Sequence, residues 1–576
     1  MRKIILDIET NGLYNPDKIW VAVMQDLDSD KPIIMLDEKD LHRNMKEGDI
    51  FIGHNFIRFD QHWLNKLWGA GIELENIVDT LVLSTLFNPD RQGGHSLSSW
   101  GDRLGLSKHK HNDWSQLTSA MVDYCVQDVQ ITEKLYKHLM LKEKLDFSDQ
   151  SIELEHKISS IMAEQKRHGF YLNEKKAHCL MADIKQQSND ILKEIRQDLL
   201  PKPKLLREII PKIKKDGTIS SVGIKHIDNY KEVVGGSFSS IEFEPFNLGS
   251  PKQIIDRLNM YGWRPTDFTK KGQPRITEGN LETIPDEAPS AIKSLSKWKM
   301  LETRAKTIEG WLDALREDNR VHGDVFPMGA VTGRLTHAKP NLANIVSNEK
   351  PYGKECRACW IAPNDYVLVG MDAKGLELRM LAHYMKDEKF IEEVVNGDPH
   401  AFNQKAAGLD TRAQAKTFIY AFLYSAGSAK LGSIVGGSTK EGEKLKQKFL
   451  TNVPQLNTLI QRVKKKASRG YIRGIDGRRL FIRRTRAALN TLLQGGGAIV
   501  CKQWSIFLDK EIKKHNLVAH LVNTVHDEQQ YEVATKHVQD VVELADKTIQ
   551  DVGKFFNLRV LLNADAKIGN NWSETH

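Results

Sequence analysis

At 576 residues, 40% hydrophobic and 27% charged, the chain is long enough for about four domains of roughly 150 residues, each with a core that needs no covalent staple. No apolar run approaches the ~20 residues of a membrane helix, and five scattered cysteines exclude a disulfide framework, which suits a reducing cytoplasm. The net charge of +8 is uneven: residues 462–486 carry eleven Lys or Arg against Asp476 alone, so the rest of the chain is slightly acidic.

In chain order, MRKIILDIET is strand-like by residue 4, which leaves no room for a cleaved targeting peptide. In ILDIET, Asp7 and Glu9 project from one face of the strand while Leu6 and Ile8 point the other way. Two adjacent acids repel unless a cation lies between them, and a hard divalent ion with oxygen ligands is the usual answer. Asp60 ends GHNFIRFD, and in YCVQD the phenol of Tyr124 and the carboxylate of Asp128 share a helix face. Four acids and a tyrosine make a site for two metals, with the phenol orienting an attacking water. The alternation of strand and helix signals through residue 145 predicts an α/β domain.

Two long helices broken near Gly169 are predicted for about 150–200. Pro201, Pro203, Pro211 and a Lys-rich patch then mark a loop-rich insertion at about 200–248, followed by renewed helices around 251 and 290. Cys356 and Cys359 form a CxxC pair, but with no second pair they read as small semi-buried residues rather than zinc ligands.

In the last third, Asp372 ends the apolar strand of LVGMDAKGLELR and Asp527 lies in TVHDE, 155 residues later. Between them, Arg412, Lys416, Tyr420 and Tyr424 are spaced four apart in RAQAKTFIYAFLYSAG, one slowly drifting helical stripe. Cations followed by aromatics suit a nucleotide, phosphates on the former and base on the latter. The basic run 462–486, interleaved with Tyr471, Phe481 and glycines, reads as a polyanion-binding groove; by charge alone it is equally a solvated helix face.

DIET, HNFIRFD and YCVQD resemble the three motifs of the DEDDy 3′–5′ exonucleases. AVTGRLTHAKPNLANI, GMDAKGLELR, RAQAKTFIYAFLYSAG, RTRAALNTLLQ and VHDE resemble family A DNA polymerases in order and over nearly the whole chain, closest to the phage replicative branch. The resemblance implies a multidomain α/β and α+β chain: an RNase H-like exonuclease domain at 1–148, then a right-hand polymerase. Its thumb would span 149–320 with the insertion at about 200–248, its palm 321–386 and 481–576, and its fingers 387–480. It implies two Mg²⁺ ions at each site, Mn²⁺ substituting, with Asp7, Glu9, Asp60 and Asp128 as ligands at one and Asp372, Asp527 and the Ala373 carbonyl at the other.

His400, Arg412, Lys416, Tyr420 and Tyr424 would then meet the incoming deoxynucleotide, with Lys416 catalytic and Glu377 as the steric gate against a ribose. Arg334, His337, Asn341, Asn344, Arg486, Asn490, Gln494 and His526 would contact primer–template DNA. Ser425, Ala421 and Lys374 depart from the family pattern; the first two bear on finger closure or fidelity, and Lys374 is expected to point outward. The resemblance also implies replication of a phage genome in the host cytoplasm, a processivity factor such as host thioredoxin at 200–248, and a replisome helicase-primase. Two other readings stand: a 3′–5′ exonuclease whose polymerase-like half only grips DNA, and a non-catalytic nucleic-acid-binding module.

Overall fold

From the strand Lys3–Thr10, Ile4, Leu6 and Ile8 enter one core with Phe56, Trp63 and Leu64, while Ile5, on the face of Asp7 and Glu9, enters another with Met121, Cys125 and Val129. In the computed structural model, which describes residues 1–144, 147–222 and 236–576, this strand is the middle of a five-stranded sheet. The order is Ile33–Met35, Ile19–Asp26, Lys3–Thr10, Ile50–Gly53, Ile77–Asp79; the first three are antiparallel and the last two join in parallel. Parallel pairing demands crossovers, so helices cover the faces, and the acids at the strand end lie under the helix Ser119–His138. Thr118 caps that helix by accepting from the Met121 amide.

Residues 1–173 and 314–576 form one compact unit and 174–313 a second. The helix Asp149–His168 belongs to the first, because Leu154, Ile158 and Met162 enter a core with Val369, Met371 and Trp504. In the second unit the helices Glu174–Asp198 and Ser290–Asp313 enclose Ile195, Ile254, Leu258, Trp263 and Ile292. The segment expected to be loop-rich contains an antiparallel ladder, Lys202–Ile209 with Phe238–Glu244. Local propensity does not announce this ladder, since KPKLLREI contains one strongly β-forming residue, Ile209, and pairing with Phe238–Glu244 sets it; 223–235 of the insertion lie outside the described residues.

The larger unit also holds a four-stranded antiparallel sheet, ordered Ala519–Val525, Glu528–Ala534, Tyr366–Ala373, Ala564–Gly569. Behind it runs the helix Ala488–Lys514, whose Gly495 and Gly496 press so close to Leu480 and Met380 that a Cβ at either would come within 2.7 Å of a side chain. Among the described residues no helix is long and apolar enough to cross a membrane.

Candidate active sites

The first acidic cluster sits at the end of the five-stranded sheet. Glu9, Asp60 and Asp128 are all under a tenth exposed, and Asp60 is tied to the first strand by accepting from the Ile8 amide at 3.2 Å. Burial, then Asp7 and Asp128, push the Glu9 carboxyl up to about 10. Burial and Asp128 likewise raise Asp7 to about 7, against the opposing charge of Lys108. Burial raises Asp60 as well. Lys108 pairs with Asp128 and lies 4.4 Å from the Tyr124 ring centroid, so it joins the phenol and carboxylate that the helix sets four residues apart. His111 and Trp114 pack against the same tyrosine.

The second cluster forms where two strands of the other sheet end side by side. Asp372 registers opposite Glu528, and the Ala373 amide donates to the Asp527 carbonyl at 3.1 Å, which brings Asp372 and Asp527 together. His526 and Asp527 make a two-residue loop with His526 at φ 60°, the left-handed backbone that tight hairpins require. Partial enclosure by the sheet, then Asp527 and Glu528, push Asp372 up to about 7 although its side chain opens to solvent. Burial raises Asp527 as well. Lys374 is exposed and reaches toward Asp565, 3.9 Å away.

The stripe on the helix Arg412–Leu423 is as spaced: Arg412 and Lys416 are exposed, Tyr420 is half-buried, and Tyr424 is the C-cap, while Ala415, Phe418, Ile419 and Phe422 face the core. Arg412 is held by Asp398 at 2.6 Å, and the His400 ring lies 6.1 Å from that of Tyr420. The Tyr424 hydroxyl donates to Glu377 at 2.6 Å, and Arg334 pairs with the same oxygen at 3.1 Å. Ser425 occupies φ 63°, where its hydroxyl donates to the Arg486 carbonyl at 3.0 Å. Asn490 and Gln494 share one half-buried face of the helix Ala488–Lys514, and His337 is buried on Thr336–Ala338 next to Asn341 and the turn Leu342–Asn344.

Residues 224–574 match DNA polymerase family A, and residues 4–144 match a 3′–5′ exonuclease family. The chain belongs to DNA polymerase family A. DNA-directed DNA polymerases of Escherichia phage T7 and Enterobacteria phage T3 are each 32% identical to it, the first over 100% of both chains, the second over 93% of this chain and 94% of its own. A solved structure titled as the POL domain of Pol1 from M. smegmatis in complex with DNA primer-template and dNTP shares the fold, with a TM-score of 0.78 at 20% identity, covering 99% of this chain and 95% of that one. Polymerase and exonuclease domains of these families use divalent metals, and both clusters here fit such ions: each gathers repelling carboxylates, and the Oδ1 of buried Asp128 has no hydrogen-bond partner among the described residues.

Several residues around the sites of this family A polymerase carry no motif signal. Lys108 lies in a segment without regular pattern, and only the fold carries it to Asp128. Asp79 accepts from the amides of Asn55 and Ile57, so it fixes the loop before Asp60. Asp398 caps the helix Pro399–Ala407 while holding Arg412, which keeps its own carboxyl down at about 2. A groove of about 1160 Å³ beside the first cluster is lined by Arg58, Lys66, Lys166, Arg167, Arg316 and Lys339 together with Tyr14, Phe59 and Trp63; Glu317, Asp318 and Asp324 line it as well, and Asp324 pairs with Arg58 and Lys166.

Glu528 belongs to a strand rather than to the hairpin tip: it is 4% exposed, and its carboxylate accepts from Trp572 at 2.7 Å and Gln530 at 2.6 Å while pairing with His576 at 2.6 Å. Burial opposes its ionisation, but those donors hold the carboxyl below its ordinary range. The basic run is not uniformly a groove. Arg478 is wholly buried between Asp476 and Glu155, with Lys502 on the same Glu155 oxygen at 2.6 Å, and Arg483 pairs with Asp90; Lys464, Lys465, Lys466 and Arg469 are exposed.

Proposed function

We propose that this chain extends a primer 3′ end on a DNA template at the cluster of Asp372 and Asp527 and removes mispaired 3′ ends at the cluster of Asp7 and Glu9, as the replicative polymerase of a phage working in the host cytoplasm. The polymerase reading is supported above all by the pairing of Ala373 with Asp527, which unites two acids 155 residues apart into one pair of like charges.

Asp372, Asp527 and the Ala373 carbonyl would hold divalent ions, Mg²⁺ or in its place Mn²⁺. When bound, such ions lower the pKa of the primer hydroxyl and offset charge on the leaving pyrophosphate. Lys416 and Arg412, exposed on one helix face, would meet the triphosphate, and Lys416 would offset charge developing on the transferred phosphate. Tyr420 would meet the sugar and base, His400 the phosphates, and Tyr424 the templating base. Glu377, fixed by Tyr424 and Arg334, would crowd a 2′-hydroxyl. Asn341, Asn344, His337, Arg486, Asn490 and Gln494 would track the minor groove of the duplex, with His526 at the primer terminus.

At the exonuclease site Asp7, Glu9, Asp60 and Asp128 would hold Mg²⁺, and Tyr124 would orient the attacking water. A frayed single strand would reach it along this groove, phosphates on exposed Lys66 and Lys339, bases on exposed Tyr14 and half-buried Phe59. The ladder Lys202–Ile209 with Phe238–Glu244 is exposed on nearly every residue, as expected of a segment that closes over duplex or docks a factor such as thioredoxin; a helicase-primase would complete the replisome.

Primer extension on a long template with dNTPs and Mg²⁺, with and without thioredoxin, tests the reading. Template-directed extension is expected, and longer products with thioredoxin. Digestion of single strands without any extension would instead establish an exonuclease with a DNA-gripping half.

A further inference from the structure

The helix Arg412–Leu423 ends in a backbone that its residues do not favour. The Ala426 amide donates to the Ala421 carbonyl at 2.9 Å and the Ser425 amide to the Phe422 carbonyl at 3.0 Å, a closing pattern that puts the residue after the cap in left-handed backbone. Glycine adopts that backbone freely, but here Ser425 holds it at φ 63°, against the steric resistance of its Cβ. Its side chain supplies an offset: the hydroxyl donates to the Arg486 carbonyl at 3.0 Å, 61 residues further along.

Two consecutive residues therefore tie this helix end to two separate segments. The Tyr424 hydroxyl donates to Glu377 at 2.6 Å, on the helix Leu376–Met385, and Arg334 pairs with the same oxygen at 3.1 Å. Ser425 reaches the turn Thr485–Ala487, which leads straight into the helix Ala488–Lys514. Tyr424 is 46% exposed, so packing alone does not fix its ring; the adjoining backbone holds it at one end and its hydroxyl bond at the other.

Resting on the reading of Glu377 as the group that crowds a 2′-hydroxyl, we infer that Ser425 is a positioning residue for sugar selection. By anchoring the backbone beside Tyr424 to Arg486, it keeps the phenol on Glu377 and the carboxylate fixed where the sugar would lie. A fixed carboxylate rejects an added hydroxyl, whereas one free to move yields to it. Glycine would take the backbone more easily but would leave the helix end without this anchor.

Single-nucleotide extension with dATP and with ATP, giving kcat/KM for each, tests the inference. The ratio of the two efficiencies is expected to fall by about 2–10-fold in both Ser425→Gly and Ser425→Ala, the range for one neutral hydrogen bond. Loss of folded protein lowers both efficiencies together and cancels in the ratio, so a merely structural role leaves it unmoved. Glycine also relieves the backbone, which separates loss of the hydroxyl from strain. Ser425→Asn, which tolerates left-handed backbone and keeps a side-chain donor, should retain most of the ratio. In a Tyr424→Phe background Ser425→Gly should add little, because the serine acts through that phenol. An unchanged ratio in Ser425→Gly while Glu377→Ala relaxes it would overturn the inference, as would an equal further fall in the Tyr424→Phe background. An unchanged ratio in Glu377→Ala would instead defeat the reading of Glu377, and the inference with it.

Discussion

The two acidic sites meet the same electrostatic problem in different surroundings. Around Glu9 the carboxylates are enclosed, and the Glu9 carboxyl is driven up to about 10, with Lys108 as a cation already in place at Asp128. Around Asp372 the strand end is open to solvent, the carboxyl is pushed up to about 7, as Asp7 is at the enclosed site, and Lys374 is directed toward Asp565. Enclosure raises the cost of bare charge, so the first site needs its cations more. On the proposed reading, an enclosed pocket would suit one frayed strand end, whereas a strand end open to solvent would admit a duplex and a nucleotide together. On that reading, acids beside a strand end would serve two tasks according to how much of them the fold covers.

The largest test of that separation is reciprocal. Asp527→Asn is expected to lower primer extension by more than ~100-fold, beyond the usual effect of losing a residue that merely supports a ligand, and to spare single-strand digestion. Asp7→Ala should do the reverse. Loss of both activities from either change would break the comparison. At the open site, Glu377→Ala should raise ribonucleotide incorporation by roughly 10–100-fold, the range over which a pocket rejects one added hydroxyl. Competition between ATP and dATP in single-nucleotide extension reads this directly, and unchanged discrimination would remove Glu377 from the gate.

At the enclosed site, Lys108→Met should slow digestion by about 10–100-fold without affecting extension, and Lys108→Arg should restore part of it, because a cation there orients Tyr124 and Asp128. Digestion of single strands across a pH series measures it; equal rates in all three proteins would leave Lys108 a bystander.

The smallest effect concerns stability. Burial holds the Lys502 ammonium down to about 8, against the pull of Glu155, whereas an unfolded lysine titrates near 10.4. Between these values the unfolded chain binds the extra proton, so this group's contribution to stability rises with pH. The urea midpoint of wild type relative to Lys502→Met is therefore expected to increase from pH 8 toward 10, and a flat difference would show that Lys502 does not titrate in the folded chain.

Local patterns carried much of this protein's reading. Period two placed Asp7 and Glu9 on one strand face, and a spacing of four placed Arg412, Lys416 and Tyr420 along one helix, because both relations are set by backbone geometry within a single element. The prolines after residue 200 misled for the same reason: they signalled turns, while the ladder between 202 and 244 depends on a partner strand far along the chain.

What sequence determined by itself was therefore the chemistry of each segment and its orientation within a strand or helix. Only the tertiary structure decided which segments meet. It set Asp527 beside Ala373, carried Lys108 from an irregular stretch to Asp128, and buried Arg478 with Glu155 in the middle of a run that reads as surface charge. It also turned Glu528 inward toward Trp572 and His576. The physical reason is that local geometry repeats along a chain, whereas burial and ion pairing depend on register and packing between elements separated by hundreds of residues.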